Sequence, residues 1–401
     1  MSHLMPTYRP APVRFVAGSG CRLVDDAGRR YLDFLSGLAV TSLGHAHPAV
    51  RDALCHQAGT LLHVSNLFEN AFAEDVAARL DTLVGDGAPA GGKVFFANSG
   101  AEANECAIKL ARRFGGHGRH AVVSAYNSFH GRTLATLHAT GQPTKHEPFA
   151  PMPEGFRHVA YGDMGALAAA ADPTVVAAVL VEAIQGEGGV VVPPPGYLAA
   201  LRALCDERQI LLILDEVQTG LARTGRWFAF QHEQIRPDVV TVAKALGNGV
   251  PVGACWARAE VADVFVPGDH GSTFGGQPLA LSAAKATLET MVAIDAPALA
   301  RETGAYLAEA LGRLPGVTGV RGAGLLLAAL LEPGLDAAEV VRAALEDGLV
   351  VNAPAPGVLR LAPALIVSRE ECDEAVAILA GVLGKLVSRA RGVAGADGAA
   401  P

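Results

Sequence analysis

The sequence predicts an α/β protein: a large unit built on a mostly parallel sheet with helices on both faces, followed by a smaller α+β unit. Three observations carry this reading. Between about Ala90 and Ala257, short apolar or β-branched runs alternate with helical stretches, the rhythm of strand–helix–strand units. Most of those runs are continuously apolar rather than alternating, as strands covered on both faces must be. After about Ala280 the rhythm shifts to longer helices with short strands between them. At 401 residues, 50% hydrophobic and 18% charged, the chain can bury a sizeable core, which excludes disorder over most of its length.

Taken in order, the Pro- and Gly-rich residues 1–20 read as an extended arm. Cys21 to Phe34 reads as a hairpin that turns at Asp25-Asp26-Ala27-Gly28. The expected strands of the large unit are Val94–Ala97, Ala121–Ser124, Val175–Val181, Ile210–Leu214, Val239–Val242 and Val252–Trp256. Helices are expected at Leu279–Ile294, Ala298–Leu314 and Ser368–Ser388. The resulting division places an arm and hairpin at 1–48, counted with the small domain, a large domain at 49–290, the small domain at 291–390 and a flexible tail at 391–401.

Composition removes several function classes. Net charge is −8 and no basic run occurs, so the clustered basic face of a nucleic-acid binder is not expected. The apolar stretches Val175–Val181 and Leu325–Leu331 stop at Glu182 and Glu332, far short of the roughly 20 residues a membrane helix needs. Tyr8, Arg9 and Pro10 stand where a signal peptide would have its apolar core, so export is not expected. The six cysteines contain no closely spaced pair, which fits reduced packing cysteines in a cytoplasmic protein. His45 and His47 resemble a metal pair, but a turn or interface role is the better reading. Gly87–Lys93 imitates a phosphate loop, yet Val94 replaces the required hydroxyl. The glycines around Gly247 imitate a dinucleotide fingerprint, yet Pro251 blocks its helix.

In an open parallel sheet, ligands bind beyond the carboxyl ends of the strands, so the residues delivered there matter most. The expected strands deliver Asn98-Ser99-Gly100, Phe129-His130-Gly131-Arg132, Glu182 with Glu187, Asp215 with Gln218, and Lys244. Asn98-Ser99-Gly100 opens a helix whose small residues leave amide groups free for a phosphate; taken alone, an ordinary cap by Ser99 is the simpler reading. Asp215 ends a buried run and needs a cation or strong donor, for which a protonated ring nitrogen or a salt bridge serves equally. Lys244 lies among apolar neighbours that would depress its pKa and favour an amine nucleophile over a snorkelling surface lysine. A phosphate cradle, a ring partner, an acidic group and a lysine together match the needs of pyridoxal phosphate.

These motifs resemble those of the class III, ornithine/acetylornithine-type aminotransferases of the fold type I pyridoxal-phosphate superfamily. The likeness runs from Tyr31-Leu32-Asp33-Phe34 and Gly44-His45-Ala46-His47-Pro48 through Asn98–Ala103, Phe129–Thr133, Leu214–Gly220 and Ala243-Lys244 to Gly271–Gly276. It implies pyridoxal 5'-phosphate as cofactor, with Lys244 bonding it and shuttling protons, and Asp215 pairing with its ring nitrogen. It further implies Ser99, Gly100 and Ala101 at the phosphate, Phe129 and Val217 at the ring, and Gln218 at the 3-hydroxyl edge. Thr273 would reach in from the second subunit of a homodimer with shared active sites. Ser272 and two arginines would meet substrate: Arg360 the α-carboxylate of glutamate, and Arg132 its γ-carboxylate or the α-carboxylate of an ω-amino donor. Glu187 would cover Arg360 when no carboxylate is there.

Leu62–Phe68 resembles the acetylornithine branch, and Leu38 falls where ornithine aminotransferases carry a tyrosine that holds free ornithine. The expected reaction is therefore transfer of the ω-amino group of N2-acetyl-L-ornithine to 2-oxoglutarate, as in arginine biosynthesis. Ornithine, 4-aminobutyrate or succinyl-diaminopimelate are alternative donors, and a racemase or mutase of the same fold is the alternative of a different class. Gln277 stands where an asparagine is usual and has no evident consequence in the sequence.

Overall fold

The computed structural model describes residues 3–9 and 11–397; residues 1, 2 and 10 of the arm and 398–401 of the expected tail lie outside the described residues. The N-terminal part supplies β1 (Phe15–Ser19), β2 (Arg22–Asp25) and β3 (Arg30–Asp33). The middle supplies β4 (Gly92–Ala97), β5 (Ala121–Ala125), β6 (Phe156–Val159), β7 (Val176–Glu182), β8 (Leu211–Asp215), β9 (Val239–Val242) and β10 (Gly253–Arg258). The C-terminal part supplies β11 (Val317–Ala323), β12 (Leu326–Leu331), β13 (Leu349–Val350), β14 (Asn352–Ala355) and β15 (Val358–Leu361).

Strands β4 to β10 form one seven-stranded sheet in the order β4-β10-β9-β8-β7-β5-β6. The pairs β5–β6, β5–β7, β7–β8 and β8–β9 are parallel, whereas β10 runs antiparallel to both β4 and β9. Strands β7, β8 and β9 are buried at every position, so their unbroken apolar runs reflect cover on both faces. The edge strand β6, with the sequence Phe-Arg-His-Val, lacks such a run and escapes the sequence reading.

The remaining strands make two four-stranded sheets, β1-β2-β3-β13 and β11-β12-β15-β14. The parallel pairing of β13 with β3 joins the N-terminal hairpin to the C-terminal part. The helices there are Pro278–Ala293, Ala296–Gly312, Ala337–Glu346 and Arg369–Asp397. The last continues past Ser388, where the sequence pattern ends it. Gln277 now has a function: its side-chain oxygen caps Pro278–Ala293 by accepting from the Leu279 amide at 2.9 Å. His45 Nε2 pairs with Asp33 Oδ2 at 2.7 Å. No helix of the described residues is long and apolar enough to cross a membrane.

Candidate active site

The C-terminal ends of β4, β5, β7, β8 and β9 meet at one edge of the large sheet, and registry sets their residues side by side. Glu182 pairs with Asp215, and Asp215 with Thr241, across β7, β8 and β9. Because β10 is antiparallel, its beginning lies at the same edge, which brings Gly249, Val250, Pro251 and Val252 there too. Together they enclose a cavity of about 390 Å³. Ser99, Gly100, Ala101, Phe129, Arg132, Glu187, Asp215, Val217, Gln218 and Lys244 all line it.

Ser99 caps the helix Gly100–Gly115: its Oγ accepts from the Glu102 amide at 3.2 Å, and its carbonyl accepts from the Ala103 amide at 3.0 Å. The cap bonds neither the Gly100 nor the Ala101 amide, and both residues line the cavity at the positive end of the helix. The cap and the phosphate cradle expected from the sequence would be the same structure. A Cβ on Gly100 would lie 2.9 Å and 3.0 Å from the Val217 methyls, so only glycine allows this close approach.

Asp215 is buried and held from two sides. Asn104 Nδ2 donates to Oδ2 at 2.8 Å, His130 Nδ1 lies 2.8 Å from the same oxygen, and the Val217 amide donates to Oδ1 at 3.0 Å. Asn104 also donates to the His130 carbonyl at 2.8 Å and accepts from Thr241 Oγ1 at 2.7 Å. His130 Nε2 is buried at the cavity without a partner. Glu182, beside Asp215, is pushed up to about 7 by burial, despite accepting from the Phe129 and Gly186 amides.

Lys244 opens a short turn after β9 with φ of 42°, a conformation that costs a non-glycine residue about 1–3 kcal/mol and is concentrated at functional sites. Burial lowers its ammonium to about 8, with Glu187 opposing and Arg360 adding to the effect. Arg360, 1% exposed on β15, donates Nη1 to Glu187 Oε1 at 2.6 Å and to Gln218 Oε1 at 3.2 Å, and Nε to Asn352 Oδ1 at 3.0 Å. Its Nη2 is buried and unpartnered. Burial raises the Glu187 carboxyl, but the Arg360 charge and hydrogen bond outweigh this and hold it below its ordinary value.

Two expected site residues lie elsewhere. Ser272 and Thr273 line a separate hollow with Ser65, Asn66 and Leu67. Ser272 Oγ accepts from Asn98 Nδ2 at 3.1 Å and the Gly275 amide at 2.9 Å, while Thr273 is exposed. Gln218 meets Arg360 within this chain. Val40, rather than Leu38, lines the cavity. Asn104, Asn352 and the β9–β10 connection were not foreseen as site residues. A signal existed for Asn104, the one polar residue among the buried Ala103, Cys106, Ala107 and Leu110.

The chain belongs to the class III aminotransferases: the family described as Aminotransferase class-III matches residues 5–383. The acetylornithine aminotransferase of Gloeobacter violaceus is 50% identical over 394 residues, covering 96% of each chain. Among solved structures, the ornithine aminotransferase of Toxoplasma gondii superposes with a TM-score of 0.91 at 35% identity, covering 97% of this chain and 94% of that one. That structure records partial occupancy of pyridoxal phosphate at its active site. The acetylornithine aminotransferase of Elizabethkingia anophelis superposes with a TM-score of 0.83 at 33% identity, covering 96% of both chains. The cavity fits that cofactor: free amides at a helix start, the buried unpartnered His130 Nε2, and Asp215 and Lys244 in its lining.

Proposed function

We propose that this chain is a pyridoxal-phosphate-dependent aminotransferase that moves the ω-amino group of N2-acetyl-L-ornithine to 2-oxoglutarate, giving N-acetyl-L-glutamate 5-semialdehyde and L-glutamate. The Arg360–Glu187 pair at 2.6 Å carries the reading. One site must accept glutamate, which presents an α-carboxylate beside its amine, and an ω-amine, which presents none. A guanidinium with a removable carboxylate cover serves both.

Pyridoxal phosphate, when bound, supplies the electron sink that lets an amino group leave one carbon and join another. Ser99, Gly100 and Ala101 would hold its phosphate, and Phe129 and Val217 would flank its ring. Asp215, fixed by Asn104 and His130, would hold the proton of the ring nitrogen. Lys244 would bond the cofactor at rest. Once displaced, its Nζ would carry the proton at the reacting carbon, a task suited to an amine near 8. Gln218 would meet the 3-hydroxyl edge. Arg132 would take the carboxylate at the far end of the substrate, and Arg360 the α-carboxylate of glutamate.

The reading includes a homodimer in which Thr273 and Ser272 complete the site of the second copy. Exposed Leu61, Leu62, Leu67, Phe68 and Phe274 near that hollow support it. It also includes a cytoplasmic place in arginine biosynthesis, supported by six unpaired cysteines. A screen of ω-amino donors against the cofactor-loaded protein, followed by the change in cofactor absorbance, tests the function. N2-acetyl-L-ornithine should react fastest. A stronger response to free ornithine or 4-aminobutyrate would reject the donor, and no glutamate from 2-oxoglutarate would reject a transaminase.

A further inference from the structure

Two arginines of the C-terminal part stand on one transverse row of its sheet. Arg321 on β11 pairs with Ala328 on β12, Ala328 pairs with Arg360 on β15, and Arg360 pairs with Asn352 on β14. Residues directly opposite one another share a face, so both guanidinium groups leave the same side of the sheet, two strands or roughly 10 Å apart. Both reach the loop 183–191, which follows β7. Arg360 meets Glu187 there at 2.6 Å. Arg321 meets the backbone instead: its Nε and Nη2 both donate to the Gly189 carbonyl, at 3.0 Å and 2.6 Å.

The contact between loop and sheet is close. Gly189 is buried with φ of 106°, and a Cβ on it would lie 3.0 Å from Arg321 Nη2 and 3.5 Å from the Ala355 Cβ. Ile184 and Val190 of the loop pack with Leu326, Ala328, Val358 and Ala362. The loop is also bonded on both sides of Glu187. The Gln185 amide donates to the Val191 carbonyl at 3.0 Å, and the Val191 amide to the Gln185 carbonyl at 2.9 Å. Glu182 Oε1 accepts from the Gly186 amide at 3.2 Å, and the Gly189 and Val190 amides both donate to the Gly186 carbonyl at 3.2 Å. Side-chain rotation is therefore the way for Glu187 to free Arg360. The Gly189 carbonyl, fixed in that backbone, has no side chain to turn, so its bond to Arg321 survives the exchange.

We infer that Arg321 is a positioning residue for the glutamate half-reaction: by clamping the sheet to the loop at Gly189, it keeps Arg360 in place when Glu187 lets go. The inference deepens the function proposed above and rests on it for the exchange at Arg360. With an ω-amine bound, Glu187 itself holds Arg360, and the clamp adds little. With glutamate bound, the clamp is the polar tie that remains between the row and the loop. Gln218 offers no independent hold, because it shares the Nη1 that Glu187 occupies.

The test uses the cofactor-loaded enzyme and reads the two half-reactions separately by cofactor absorbance, with L-glutamate and with N2-acetyl-L-ornithine. In Arg321→Met, which keeps the stem and loses the donors, half-saturation with glutamate should rise about tenfold, the size expected when a charged donor is taken from a carbonyl. The limiting rate with glutamate, and both constants for N2-acetyl-L-ornithine, should stay within about twofold. Arg321→Lys, which keeps a charged donor, should recover part of the loss. The glutamate loss should vanish when Arg360→Ala is already present, because Arg321 acts through Arg360. Equal losses in the two half-reactions, no loss in either, or a glutamate loss that persists beside Arg360→Ala would overturn the inference. Arg321→Gln makes the same comparison if Arg321→Met does not fold. A wild-type enzyme that ignores N2-acetyl-L-ornithine rejects the proposed donor instead; 4-aminobutyrate then takes its place, and equal losses still overturn the inference.

Discussion

Removing Glu187 and removing Arg360 should have opposite effects on the two halves of the reaction. Arg360 is held at Nη1 by Glu187 and Gln218 and at Nε by Asn352, while its Nη2 stays buried and unpartnered. It is set for a two-pronged carboxylate, provided Glu187 withdraws. Opposite charges about 4 Å apart at an effective dielectric of about 20 attract by about 4 kcal/mol. The Glu187 side chain is 31% exposed, so solvent screening brings this to about 2 kcal/mol. That is the opposition glutamate meets, roughly thirtyfold in rate or affinity. Glu187→Gln removes most of it, so the glutamate half-reaction should hold or improve by up to that factor. The acetylornithine half-reaction should weaken, because the Arg360 charge then faces a donor that offers it no counter-ion. Arg360→Ala should do the reverse. It should damage the glutamate half-reaction by roughly thirtyfold to several thousandfold, the range for about 2–5 kcal/mol, and spare the acetylornithine one. Rapid-mixing measurement of cofactor absorbance reads each half-reaction separately. Equal losses in both halves for Arg360→Ala would show a structural residue and refute the switch.

Three further outcomes are expected. The rate at which the cofactor-free protein captures pyridoxal phosphate should rise with pH to a plateau with a midpoint near 8, because the free amine of Lys244 reacts and burial lowers its ammonium to about 8; a rise that continues toward 10.5 would contradict this. Asp215→Asn should lower turnover at least about a hundredfold while cofactor remains bound, as absorbance and turnover measured on one sample would show; near-normal turnover would remove Asp215 from the mechanism. Gly100→Ala should weaken cofactor binding about tenfold, since its Cβ would meet Val217 at 2.9 Å, and adding Val217→Ala should restore affinity in a fluorescence titration; no restoration would mean that the close approach is not what the glycine serves.

The legible parts of the sequence are those in which local pattern and burial coincide. Strands β7, β8 and β9 are buried along their whole length, so their apolar runs mark them, and Glu182, Asp215 and Lys244 follow from where those runs stop. The antiparallel direction of β10 was not legible, because an apolar run carries no sign of direction, and with it went the cavity wall Gly249–Val252. Asn104, and the role of His130 beside it, were missed for another reason. Their importance lies in a shared contact with Asp215 Oδ2, across 111 and 85 residues of sequence, and spacing along a chain does not reveal such a meeting. Ser272 and Thr273 line a hollow outside the cavity of their own chain, and their part in a site rests on the second copy proposed above.

The central claim is a transfer of one particular nitrogen, and an isotope follows it directly. N2-acetyl-L-ornithine labelled with nitrogen-15 at the δ position is incubated with 2-oxoglutarate and the cofactor-loaded enzyme, and the glutamate is analysed by mass spectrometry. The account predicts glutamate carrying the label, in step with semialdehyde formation, and none with the Lys244→Ala protein. Unlabelled glutamate, or no glutamate while free ornithine or 4-aminobutyrate reacts, would contradict it.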